Sequence, residues 1–219
     1  MKRLLLSLTV LAAVVATGTT AANAQYYALA NQLTNVLGPA LSGSMSYRGM
    51  VEVSGIAGTG YNRINTLELA TVQGFKYADW FFMGAGLGIN LAVGDNTAVD
   101  NAAHSISRYK AMMPLFSDFR FNIGGQSKPS FFVDLRLGAA WFFGNSYIGT
   151  HHNYIDDGTY FYLKPGVGVR IPVSAGDPTN AFNIALTYQL LTNSGSNGYY
   201  YRNSAVTMNG FGLTLGYEW

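Results

Sequence analysis

Three histidines are the first side chains to weigh for chemistry: His104, which precedes Ser105, and the pair His151-His152, which precedes Asp156-Asp157. The second group could ligate a metal, and the first could hint at a nucleophile beside its base. Nucleophilic catalysis also needs a third group to orient the base, and none accompanies either group at an informative spacing. Solvated loop histidines are the simpler account. The run Gly84-Ala85-Gly86-Leu87-Gly88 is glycine-rich, but it lacks the spacing and the strand-to-helix context of a nucleotide loop. The absence of cysteine removes thiolate catalysis, disulfides and cysteine-based zinc sites. The sequence therefore predicts no enzyme, cofactor or metal centre. Two loop stretches have the composition of recognition surfaces. One is Tyr199-Tyr200-Tyr201-Arg202, which follows a Ser/Gly/Asn run; the other contains His151 and His152. Aromatics anchored at a membrane surface explain the tyrosines equally simply.

A second set of residues combines charge with regular spacing. It comprises Arg48 and Glu52, Glu68, Asp118 and Arg120, Asp134 and Arg136, Lys164 and Arg170, and Glu218. Five are acidic and five basic, which suggests mutual pairing. Within each segment the spacings are even, so in an extended chain these side chains share one face.

The elements that must position them follow from the same period of two. Phe211, Leu213, Leu215, Tyr217 and Trp219 alternate with small or polar residues. Eight strand-like segments are expected near 46–56, 64–76, 80–93, 108–123, 130–143, 159–173, 181–192 and 205–219. Each is long enough to cross a bilayer obliquely. The connections near 77–79, 124–128 and 175–180 are tight, while those near 94–107, 144–158 and 193–204 are longer. The first, around Gly58-Thr59-Gly60, is short and fits that alternation less well. Pro114 and Pro165 fall inside strands, where each must sit at a bulge or lose a ladder hydrogen bond; local bulges are expected.

One stripe carries Phe81, Met83, Ala85, Leu87, Ile89 and Leu91; Val133, Leu135, Leu137 and Ala139; and Leu163, Val167, Val169 and Ile171. The opposite stripe carries the ten charges. Pointing one Arg or Lys at mid-bilayer lipid costs about 2–4 kcal/mol. Exposing the first stripe to water would ring the molecule with an apolar belt. The first stripe therefore faces lipid and the charges face a lumen. Glycines on the lumen face, among them Gly84, Gly86, Gly88 and Gly138, make room for large side chains from across it. Aromatics cluster at both strand ends, as membrane interfaces prefer. The expected fold is all-β: an eight-stranded antiparallel up-and-down transmembrane β-barrel. Such a barrel is only just wide enough for its side chains to fill, so the charges are expected to form a salt-bridged plug.

Composition agrees. Charged residues make up 11% of the chain, against about 25% in soluble domains. The net charge of +2 is scattered and leaves no nucleic-acid footprint. Residues 1–24 read as a signal peptide, with a Lys2-Arg3 head, an apolar core and an Ala22-Asn23-Ala24 cleavage site. Residues 25–45 read as a periplasmic segment, either a short helix or a mobile lead-in, and 46–219 as the barrel.

On these residues the chain resembles the outer-membrane protein β-barrel domain family, the small porin-like barrels of Gram-negative envelopes. The resemblance rests on TLELATVQGFKYADWFFMGAGLGIN, MPLFSDFRFN, PSFFVDLRLGAAW, FYLKPGVGVRIPV and GFGLTLGYEW. It implies insertion by the envelope's barrel-assembly machinery, which recognises the last strand; Trp219 stands where Phe is usual. The family has no shared catalytic residues to transfer. The expected localisation is the outer membrane after export, with outer-membrane lipid as a partner and no external ligand named by the sequence. The expected role is structural or surface-interacting. A small channel for hydrophobic or small polar solutes is the alternative, and an outer-leaflet lipid-modifying enzyme is a more remote one.

Overall fold

A computed structural model describes residues 45–60, 64–93, 111–143, 148–150, 153–155, 159–174, 176, 178–193 and 206–219. The strands are β1 (Ser46–Thr59), β2 (Thr66–Ala78), β3 (Phe81–Ala92), β4 (Ala111–Ile123), β5 (Ser130–Phe142), β6 (Ile148–Thr150), β7 (Asn153–Ile155), β8 (Tyr160–Pro172), β9 (Ala181–Asn193) and β10 (Val206–Glu218). Eight of them close a barrel in the order β1-β10-β9-β8-β5-β4-β3-β2, and every pairing is antiparallel. Closure comes from β1 against β10, with Val53 opposite Leu215 and Met50 opposite Glu218. No sheet edge is left open in the barrel, so every strand has partners on both sides.

Side-chain parity follows the expectation. In β2, Thr66, Glu68, Ala70 and Val72 are buried while Leu67, Leu69, Thr71 and Gln73 are exposed. Leu87, Ile89, Leu91, Val133, Val167 and Ile171 are exposed. All ten charges of the opposite stripe are buried. Tight turns join β2 to β3, β4 to β5 and β8 to β9 at one end, here called the turn end. The other end is the loop end.

Four details differ from the sequence-based expectation. β1 runs on to Thr59, paired with Asn209, and Gly60 leaves it at a φ of 78°, which glycine adopts without strain. The loop after β5 contains a small hairpin, β6–β7, that the sequence pattern did not mark. Neither proline makes a bulge. The β3–β4 ladder passes from Leu87–Leu115 to Asn90–Met112 in unchanged register, skipping Pro114, while Pro114 still pairs with Ala140 of β5. Pro165 likewise pairs with Leu135, and the β8–β9 ladder skips it between Leu163–Leu190 and Gly166–Thr187. Each proline turns its missing N–H toward one neighbour and surrenders ladder bonds there. The register shift lies instead at Tyr77, between the Lys76 and Ala78 pairs of β2 with β3.

Candidate functional site

The inward parity set fills the lumen in tiers. At the turn end, Arg170 of β8 donates to Glu218 of β10 through Nε (3.2 Å) and Nη2 (3.2 Å). Its Nη1 also donates to the Gln126 carbonyl, 3.0 Å away in the β4–β5 turn. Arg48 donates to the Thr179 carbonyl at 2.7 Å and stands 4.0 Å from Glu218. Gln126 Nε2 reaches the Asp79 carbonyl of the β2–β3 turn at 3.1 Å. Two guanidiniums thus tie the turns across the mouth. On the rim, Lys76 donates to Asp79 at 2.7 Å and holds that exposed carboxyl below its usual range.

The middle tier holds three carboxylates and two guanidiniums. Arg120 Nη2 donates to Glu52 at 2.9 Å and to Asp134 at 3.4 Å. Arg136 Nη2 donates to Glu52 and, at 3.0 Å, to Asp134, while its Nε lies 3.4 Å from Asp118. Aromatic faces support both cations: Arg120 lies 4.4 Å from the centre of Phe132, and Arg136 lies 5.3 Å from that of Phe116. Above this tier, Lys164 bridges Glu68 and Ser54, each at 2.7 Å. Tyr162 donates to Glu68 at 3.1 Å, and Asn90 donates to it at 3.3 Å. Toward the loop end the filling turns apolar, with Met112, Tyr160, Ala140, Leu191, Met208 and Ile64 buried together.

All ten charges named from the sequence therefore meet in the lumen. Glu52 binds both central arginines, Glu68 binds Lys164, and Glu218 binds Arg170. The neutral partners Ser54, Asn90, Tyr162 and Met50 were not singled out by sequence reasoning. Their parity was the available signal, since Ser54 lies two positions after Glu52 and Tyr162 two before Lys164. His104, His151, His152, Asp156, Asp157 and Tyr199-Tyr200-Tyr201-Arg202 lie outside the described residues, as do residues 1–44.

Outside the barrel, aromatics line the turn end. Trp80 stacks on Phe121 and touches Phe81, Tyr47 meets Phe75 edge-on, and Tyr217 touches both Phe182 and Trp219. An aromatic rim beside an apolar belt, around a charged interior, is the reverse of a water-soluble barrel.

No protein-family model matches the chain, and no curated protein is similar to it. Among solved structures, Neisserial surface protein A (NspA) superposes with a TM-score of 0.52 at 10% identity, covering 80% of this chain and 98% of that one. The chain has the fold of the small outer-membrane β-barrels. The outer membrane enzyme PagL follows at a TM-score of 0.49 and 13% identity, covering 76% of this chain and 97% of that one. The N-terminal β-barrel domain of Pseudomonas aeruginosa OprF follows at 0.43 and 11%, covering 80% and 100%. At 10% identity the likeness to NspA speaks to the fold of this barrel and not to its activity.

Proposed function

We propose that this chain is a non-enzymatic integral barrel of the outer membrane. Its work is structural or lies in surface interaction, and its lumen does not conduct. The observation that carries this reading is the filling of the lumen. Arg120, Arg136, Arg170, Lys164, Tyr160, Tyr162 and Phe132 are among its largest fully buried side chains, and they occupy successive tiers of the interior. An ion crossing the barrel would have to part the Glu52–Arg136 pair, the Lys164–Glu68 pair and the apolar tier beyond them. Opening buried pairs exposes uncompensated charge, at a cost of several kcal/mol. Export by the signal peptide, contact with outer-membrane lipid and insertion by the barrel-assembly machinery complete the reading. The loops are where an external partner would meet it.

Planar-bilayer recording on protein refolded from the full mature chain tests this. The gel shift between boiled and unboiled samples verifies that the sample is folded. The expected outcome is a silent bilayer with a shifted band. Reproducible unitary openings from shifted protein would replace this reading with the small channel.

A further inference from the structure

We propose that Asp118 and Asp134 share a single proton, so that the middle tier of the lumen holds a carboxylic acid hydrogen-bonded to a carboxylate. Fully ionised, that tier does not balance. Among the described residues, Glu52, Asp118 and Asp134 are met there by two cations, Arg120 and Arg136. Lys164 does not make up the difference, because it is spent on Glu68 at 2.7 Å. The equal acid and base counts of the whole lumen hide this, since Arg48 and Arg170 serve Glu218 at the turn end. Uncompensated charge in a dry interior is costly, and a buried group so placed neutralises instead.

A second observation identifies the carboxyl groups involved. Asp118 is 0% exposed, and neither of its oxygens accepts a hydrogen bond among the described residues. Arg136 Nε stands 3.4 Å from it. Asp134 gives Oδ2 to both arginines and leaves Oδ1 without a donor. In the β4–β5 ladder Asp118 pairs with Arg136 and Asp134 with Arg120. The two carboxyls therefore lie on one diagonal of the inner face, within hydrogen-bond reach of each other. As two carboxylates they repel, since neither has a hydrogen to donate. One proton turns that contact into an O–H···O⁻ bond, brings the tier to zero net charge and gives partners to oxygens that have none. The other charged groups around the pair are Glu52 of β1, Arg120 of β4, Arg136 of β5 and, a tier further, Lys164 of β8 with Glu68 of β2. β3 sets Gly84 opposite Asp118 and supplies no side-chain donor there. The proton belongs to the pair and not to either residue. This inference rests on the closed barrel and stands whether or not the lumen conducts.

Infrared spectroscopy at neutral pH tests this on the refolded full mature chain in an ester-free detergent, with and without carbon-13 at the aspartate side-chain carboxyl. A protonated carboxylic acid has a C=O stretch above the amide absorption, and a carboxylate has none there. The expected spectrum shows such an acid stretch, and the aspartate label shifts it down. Asp118→Asn should abolish it, because the amide supplies the missing donor and leaves the tier neutral. Asp134→Asn should abolish it for the same reason. Asp79→Asn, which alters the exposed carboxyl on the rim, should leave it in place. Should neither lumen variant show the heat shift of a folded barrel on a gel, the parent protein alone still decides. An acid stretch that is absent, or that ignores the aspartate label, overturns the proposal. One that survives in a folded Asp118→Asn or Asp134→Asn chain, or that vanishes in Asp79→Asn, overturns it too, by placing the proton elsewhere.

Discussion

At the scale of single residues, the central charges act as one unit. Arg136 binds Glu52 and Asp134 and stands against Asp118, and Arg120 shares the first two. Removing Arg136 would leave three carboxylates facing one guanidinium in a dry interior. Arg136→Met should therefore lower unfolding stability by about 3–5 kcal/mol, the usual cost of breaking one side of a buried pair. Urea titration in detergent, read by the heat-modifiable band, measures it. Glu52→Gln in the same chain should recover part of the loss, because it removes one of the stranded charges. A loss under about 1 kcal/mol would mean that water reaches these groups and that the lumen is not dry. Membership of this network was legible in the sequence, because inward parity and equal acid and base counts mark the ten residues. The pairings were not. Glu52 and Arg136 are 84 positions apart, and which charges meet across the axis depends on the stagger of the closed barrel, which no local pattern encodes.

At the scale of elements, the closing seam distinguishes two glycines of β1. Gly49 and Trp219 exchange both backbone hydrogen bonds at 3.0 Å, extending the β1–β10 ladder to the chain's final residue. A Cβ at Gly49 would run into the Trp219 indole, whereas one at Gly55 would meet nothing within 4 Å. Gly49→Leu should displace the indole from the seam and cost about 1–3 kcal/mol. Gly55→Ala should be neutral or slightly stabilising, because it only restricts the unfolded chain. Urea midpoints compare the two, and Trp219 emission, with Trp80 and Trp141 replaced by Phe, reports the displacement. Equal midpoints would show that Trp219 does not pack on the seam. The existence and faces of the eight strands followed from their period of two, and their ends lay close to expectation. The ladder behaviour of Pro114 and Pro165 did not follow, because a proline in a strand can kink the chain or waste a neighbour's bond, and the partner strand decides. The short β6–β7 hairpin escaped for a related reason: three-residue strands carry too few alternations to show a period.

At the scale of the whole molecule, stability rests on an inversion. The exterior is apolar at Val53, Leu69, Leu87, Ile89, Val133, Val167, Leu186, Leu213 and Leu215, all exposed, while the charges are inside. In water this arrangement would expose a continuous apolar belt, so the folded state depends on hydrocarbon around it. The inversion predicts opposite outcomes for the same chemistry on the two faces. Leu87 sits on the outer face of β3, paired with Thr71 and Leu115 near the middle of their strands. Leu87→Arg should cost about 2–4 kcal/mol in a lipid bilayer, where the side chain meets hydrocarbon. In a short-chain detergent micelle, whose thin apolar shell lets a long side chain reach water, the cost should shrink toward zero. Arg136→Met makes the reverse change, replacing charge with hydrocarbon on the inner face. Its penalty should be similar in bilayer and micelle, because the lumen is the same in both. Folding titrations of the two variants in vesicles and in micelles separate the faces. If Leu87→Arg were as harmless in vesicles as in micelles, β3 would not be turned toward lipid. The barrel would then have to stand free in water, with the belt covered by something other than a membrane.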